Sequence, residues 1–266
     1  MIVGGLRAGS RYTGRVRRLL WCSVLLAVSC RDAGPTAPPA ATERQTILPP
    51  AAIRVLFLTA TAGFRHDSIA TAKQVIADLA SSNGFALTTT EALPDVDATR
   101  LSASDVLVFA LTSGELPFDD MQRDAIVNFV NNGGGFVGFH SASDTLYEWP
   151  EYGRIVGAYF KEHPWTQDAM VTVEDRGHQT TAGLGGSLRL LEEFYTFRQN
   201  PRPSVHVLLS LDAQSVAASG DYPLAWTQTI GRGRSYYNAL GHFDATWRSS
   251  SFQLQIVNAI RWAAGR

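Results

Sequence analysis

The apolar and polar positions between residues 53 and 264 fall into runs of two kinds. Ile53 to Thr59 (IRVLFLT) is continuously apolar and of strand length, the pattern of a strand covered on both faces of a parallel sheet. Asp67 or Ser68 is placed to cap a helix running to about Ser81, with Ile69, Ala72, Ile76 and Leu79 at helical spacing. Asn83-Gly84 ends it, and Phe85 to Thr90 is the next strand. Asp105 to Leu111 is a third strand. Asp119 or Asp120 opens a second helix with Ile126, Phe129 and Val130 on one face, and Phe136 to His140 is a fourth strand. From about residue 168 the runs are mostly strand-like: Met170–Val173, Leu188–Phe197, Val205–Leu211, Leu224–Thr229 and Ser235–Leu240. Phe252 to Ala264 closes the chain as an amphipathic helix. This order predicts one α/β domain over 53–266. Its sheet is open and mainly parallel, with helices on both faces in flavodoxin-like fashion and extra strands in the C-terminal half.

The N-terminal fifth follows a different pattern. Arg7, Arg11, Arg15, Arg17 and Arg18 precede a ten-residue apolar run, Leu19 to Val28. That run is too short for a permanent membrane span, which needs ~20 residues. A basic stretch, a short apolar core and small residues read as an export signal over 1–29. AVSC at 27–30 resembles the lipobox of bacterial lipoproteins, which implies lipidation of Cys30 and a membrane anchor; ordinary secretion is the alternative. Residues 30–52, rich in Pro, Ala and Thr, cannot bury a core and read as a tether.

Composition narrows the chemistry. Apolar residues make up 45% and charged residues 18%, which excludes wholesale disorder. Without the five N-terminal arginines the count is 18 positive against 24 negative, so no basic surface awaits nucleic acid. The two cysteines are Cys22 and Cys30, so the folded part has no thiol: cysteine nucleophiles, disulfides and thiolate ligands are excluded there.

Open α/β sheets bind ligands beyond the carboxyl ends of their strands. Arg65, His66 and Asp67 follow the first strand, and His140, Ser141 and Asp144 follow the fourth. GFHSA at 138–142 has the outline of a nucleophile elbow with His140 at the presenting position, close to a helix N-terminus, while Ser141 would point elsewhere. Imidazole serves as a metal ligand or a proton carrier near neutral pH. His163 and His242 are candidates for the same crevice; His178 and His206 read as loop and surface residues. No histidine pair has a tight ligand spacing, so a metal centre depends on convergence in space. Glu193, Tyr195 and Phe197 share one strand face, and the loop aromatics Trp149, Trp165 and Trp247 are candidates to stack on sugar rings.

Six ordered segments carry a family resemblance: TATAGFRHDS (59–68), GGGFVGFHSASDT (133–145), YGRIVGAYFKEHPW (152–165), VEDRGH (173–178), EEFYTFR (192–198) and GRGRSYYNALGH (231–242). Together they resemble the ThuA-like (trehalose-utilisation) family. The resemblance implies the class I glutamine-amidotransferase-like fold without its catalytic Cys, and a role with sugars, including oxidised (3-keto) glycosides. The resulting expectation is an exported protein of carbohydrate metabolism, catalytic through His140, His66 and Asp67. Arg65, Asp144, Trp165, Glu193, Tyr195 and Arg198 would bind substrate. One divalent ion, zinc or manganese, would sit on His140, His163 and His242. The alternatives are a non-catalytic carbohydrate-binding module and an inactive amidotransferase-like domain.

Overall fold

The structure is a computed structural model that describes residues 52–266. The predicted export segment, the tether up to residue 51 and the lipidation at Cys30 lie outside the described residues. In chain order the elements are β1 (Arg54–Leu58), α1 (Ile69–Asn83), β2 (Ala86–Thr90), α2 (Ala98–Ser102), β3 (Val106–Ala110), α3 (Asp120–Asn131), β4 (Gly135–Phe139) and α4 (Pro150–Val156). There follow β5 (Phe160–Val173), β6 (Ser187–Phe197), β7 (His206–Leu211), β8 (Pro223–Ile230), β9 (Gly233–Asn238), α5 (Asp244–Arg248) and α6 (Ser250–Ala263).

Among the described residues all nine strands join one sheet, in the order β2-β1-β3-β4-β9-β8-β7-β5-β6. From β2 to β9 every pair is parallel; from β9 to β6 every pair is antiparallel. β1, β3 and β4 are the continuous apolar runs, buried along nearly their whole length because helices cover both faces. α1, α5 and α6 pack together on one side, and α2, α3 and α4 on the other.

Local signals explain most boundaries. Asp119 caps α3 in a reciprocal capping box with Gln122. Gly84, at φ 70°, closes α1 in the left-handed conformation that glycine adopts without strain. The start of α1 departs from expectation. Ser68 occupies the cap position, but its hydroxyl donates instead to the Gly241 carbonyl, 3.3 Å away, and Asp67 is exposed.

β5 also departs from expectation, beginning ten residues earlier than its apolar pattern. Only Val171–Val173 pair with β7, so the polar first part of β5, Pro164 included, forms a two-stranded ribbon with β6. This part of β5 is largely exposed on both sides, so it has no apolar alternation to betray it. It carries Phe160 and His163 on one strand, and Glu193 and Tyr195 on the other. Among the described residues no helix is long and apolar enough to cross a membrane.

Replacing Asp119 by Ala should lower stability by about 1 kcal/mol through loss of the cap. For a domain of this size the expected fall in Tm is roughly 2–4 °C, read by thermal unfolding; an unchanged Tm would show that the box contributes nothing.

Candidate active site

Four parallel strands end at one place, and the residues after them build the site. His66 follows β1, Ser113 follows β3, His140 follows β4, and His242 follows β9. His140 has φ 51°, a left-handed conformation unusual for a residue with a side chain. The elbow is therefore real, but a single 3-10 turn (His140–Ser143) follows it, so no α-helix N-terminus stands behind His140.

His140 is fully buried. Its Nδ1 lies 2.9 Å from the Ala239 carbonyl, which can only accept, so Nδ1 carries the proton and Nε2 keeps a lone pair. Around that Nε2 stand His66 Nε2 at 3.1 Å, the Tyr195 hydroxyl at 2.9 Å and His242 Nδ1 at 3.3 Å. His242 Nδ1 also lies 2.9 Å from Glu193 Oε2, itself 3.8 Å from His140 Nε2. One ligand atom from each of His66, His140 and His242 is within 4.8 Å of the others. Two nitrogens on one tetrahedral zinc, each ~2.05 Å from it, sit about 3.3 Å apart. The donor set of three imidazoles and a carboxylate thus fits a divalent ion of zinc or manganese type. One lone pair cannot accept from three donors at once, and shared coordination would relieve that crowding.

Electrostatics keep two of these rings neutral. Burial, helped by the nearby His242, lowers His66 to about 4. Burial and the adjoining His66 depress His140 well below the ordinary imidazole value. His242 goes the other way: burial alone would lower it, but Glu193, Glu192 and Asp67 together raise it. Burial would raise the Glu193 carboxyl, yet the surrounding histidines hold it below the usual range. Asp144 is raised by burial, against the Tyr147 hydroxyl and Arg198.

A cavity of about 390 Å³ opens over this group, lined by Phe64, His66, Asp144, Phe160, His163, Glu193, Tyr195 and His242. His140 lies beneath its floor.

The expected metal set changes accordingly. His163 stands apart, half-exposed with Nδ1 3.8 Å from Glu193 Oε1, and His66 takes its place beside His140 and His242. Ser141, expected to point away, approaches His66 Nδ1 at 3.5 Å. Asp144, Glu193 and Tyr195 do reach the cavity. Arg65 does not, being paired with Glu91 at 2.9 Å on the exposed surface. Arg198 lies 4.0 Å over the Tyr147 ring, behind Asp144. Trp165 packs edge-on against Tyr222, Trp149 stacks on Tyr152, and the buried Trp247 donates to the Gly241 carbonyl, so none of these three lines the cavity. Its aromatic walls are Phe64, 64% exposed, and Phe160. His178 and His206 sit elsewhere, bonded to Thr180 and Asp175.

Sequence reasoning missed Glu192. It is fully buried and accepts from the backbone of Glu193, Gly241 and His242 and from the Thr246 hydroxyl. Burial lifts it to about 6 despite those bonds. The signal available was the strand period: with Glu193 facing the site, Glu192 must face the interior beside Phe194.

The model of the family described as "ThuA: Trehalose utilisation" matches residues 54–263. This chain belongs to the ThuA family. Membership makes it a protein related to carbohydrate utilisation. It is similar to a ThuA-like protein from Bacteroides uniformis ATCC 8492, at 25% identity over 85% of this chain and 95% of that one, with a TM-score of 0.68. A ThuA-like protein from Parabacteroides merdae ATCC 43184 (21% identity, 80% and 90% covered, TM-score 0.65) shares the fold. So does a cytoplasmic protein from Salmonella typhimurium (11%, 79% and 98%, TM-score 0.57). No curated protein matches the chain.

The neutral, buried His66 carries a signed prediction. Its folded value lies below the ordinary one, so its contribution to stability is complete above pH 6.5 and lost as pH falls through about 4. The gap corresponds to about 3 kcal/mol. Glu192, raised to about 6, acts with the opposite sign, favouring the folded state as pH falls through that value. In chelator-treated protein, acidification from pH 6.5 to 4 should therefore destabilise the wild type more steeply than His66→Gln. Identical slopes in urea unfolding would refute a buried neutral ring.

Proposed function

We propose that this ThuA-family chain is an exported enzyme that cleaves an oxidised (3-keto) glycoside by elimination. One divalent ion, zinc or manganese, would be held by His66, His140, His242 and Glu193. The observation that carries the reading is the convergence of two further imidazole nitrogens, from His66 and His242, on His140 Nε2, whose tautomer the Ala239 carbonyl fixes. When bound, the ion supplies Lewis-acid polarisation of a sugar carbonyl. The residues supply the rest. His140, fixed through Ala239, orients the set from below. His163, its Nδ1 turned toward Glu193, has Nε2 available to take the proton beside the carbonyl. Phe64 and Phe160 offer apolar faces to a sugar ring. Export and a lipid anchor at Cys30 belong to the same proposal, and loss of lipid labelling in Cys30→Ala tests the anchor.

Elemental mass spectrometry on protein purified without chelator or affinity metal should find about one divalent ion per chain, lost in His66→Ala and His140→Ala. Chelation should abolish cleavage of 3-keto-glycosides, and zinc or manganese should restore it. A folded, ion-free His140→Ala protein that still turns over substrate would sink the assignment; sugar binding without turnover in any condition would favour a binding module.

Phe64→Ala should raise KM roughly tenfold, about the 1.4 kcal/mol expected of one lost aromatic contact, with a smaller effect on kcat. An unchanged KM would remove Phe64 from the sugar's path.

A further inference from the structure

Elimination needs two proton transfers, and His163 accounts for one. The other must come from a group on the same cavity that is free to donate toward a leaving oxygen. Asp144 lines that cavity outside the group of three converging histidines, its carboxyl bonded to Tyr147. Its main chain is pinned on both sides: its N–H donates to the Ser141 carbonyl at 2.8 Å, and its carbonyl accepts from Gly114 N–H at 2.8 Å. Tyr147 donates to Oδ1 at 2.6 Å and fixes the carboxyl plane. Among the described residues no group donates to Oδ2, which is left for the cavity. The Arg198 guanidinium rests on the Tyr147 ring and so reinforces the position of the Tyr147 hydroxyl.

We propose that Asp144 is the general acid of this site, delivering a proton from Oδ2 to the glycosidic oxygen of the substrate. The proposal rests on the glycoside-cleaving reading above. His163 removes the C–H proton beside the ketone and yields it to solvent afterwards. The electron pair of that C–H bond becomes the new carbon–carbon double bond as the bond from carbon to the leaving oxygen breaks. That oxygen takes the Asp144 proton and departs as an alcohol. The products are an unsaturated keto-sugar and the alcohol, with no oxidant or reductant consumed, and solvent returns the proton to Asp144. Burial raises the Asp144 carboxyl, the direction that a proton donor needs. The charged and titratable groups facing Asp144 are Tyr147, Arg198, His163, Tyr195 and Tyr237.

Leaving-group dependence tests this. Methyl 3-keto-glucoside has a poor leaving group that needs protonation; 4-nitrophenyl 3-keto-glucoside has one that departs unaided. Asp144→Asn, in the holo protein, should lose at least about 100-fold in kcat/KM on the methyl glycoside, the ordinary worth of a general acid, and less than about 5-fold on the nitrophenyl glycoside. Tyr147→Phe keeps the acid and removes its positioning bond, together with the hydroxyl's 3.2 Å contact to the Phe160 carbonyl. It should lower the methyl rate several-fold while sparing the nitrophenyl rate, and it carries the test if Asp144→Asn fails to fold. Equal losses on both substrates, or no loss on either, would overturn the role of Asp144 while leaving the function standing. Wild-type protein that cleaves neither glycoside would remove the proposed function itself, and this role with it.

Discussion

Burying the Glu192 carboxylate without exposed surface makes it dependent on its hydrogen bonds, and those bonds join β6 to the turn that carries His242. An unpaired carboxyl in such a place costs several kcal/mol. The Gly241–His242 turn and the start of α5 are therefore held against the edge ribbon. Glu193, the next residue, is aimed by the strand period to the opposite face, where it meets His242 again through its side chain. One dipeptide thus fixes His242 twice, by its backbone from inside and by its ring from the cavity.

The remaining members arrive by parallel-sheet geometry. β1, β4 and β9 end at the same level because they run the same way, so His66, His140 and the 239–242 segment meet without any sequence proximity. His140 holds a left-handed backbone that its side chain disfavours, and its bond to Ala239 ties the ends of β4 and β9. A rigid floor results in which His66 and His140 are neutral, with a polar ribbon forming one wall and Asp144 another. Preorganisation of this kind suits a site in which charge develops during reaction.

Much of the fold was legible because its strongest signals are local. Buried parallel strands read as apolar runs, and α1, α3 and α6 show their periods and their stops. α2, α4 and α5, of five to seven residues, are too short to display a period. The first part of β5 was invisible because a strand largely exposed on both sides has no reason to alternate. In the site, His66, His140, Asp144, Glu193 and Tyr195 were marked by their positions after or along strands. The tryptophans were misread: they occupy polar-looking stretches, yet two of them are buried by contacts distant in sequence.

The sequence by itself determined that the domain is α/β, that it has no thiol chemistry, that it carries the motifs of the ThuA family and that its strand ends are rich in histidine. These follow from composition and short-range pattern, which depend on a few neighbouring residues. Only the tertiary structure decided which histidines meet, that His140 lies under the floor while His163 stands on the wall, that Arg65 and Trp165 are elsewhere, and that Glu192 is the buried anchor. Those outcomes depend on strand register and on the path of the β5–β6 ribbon. They are set by long-range packing, for which no local run of residues carries a signature.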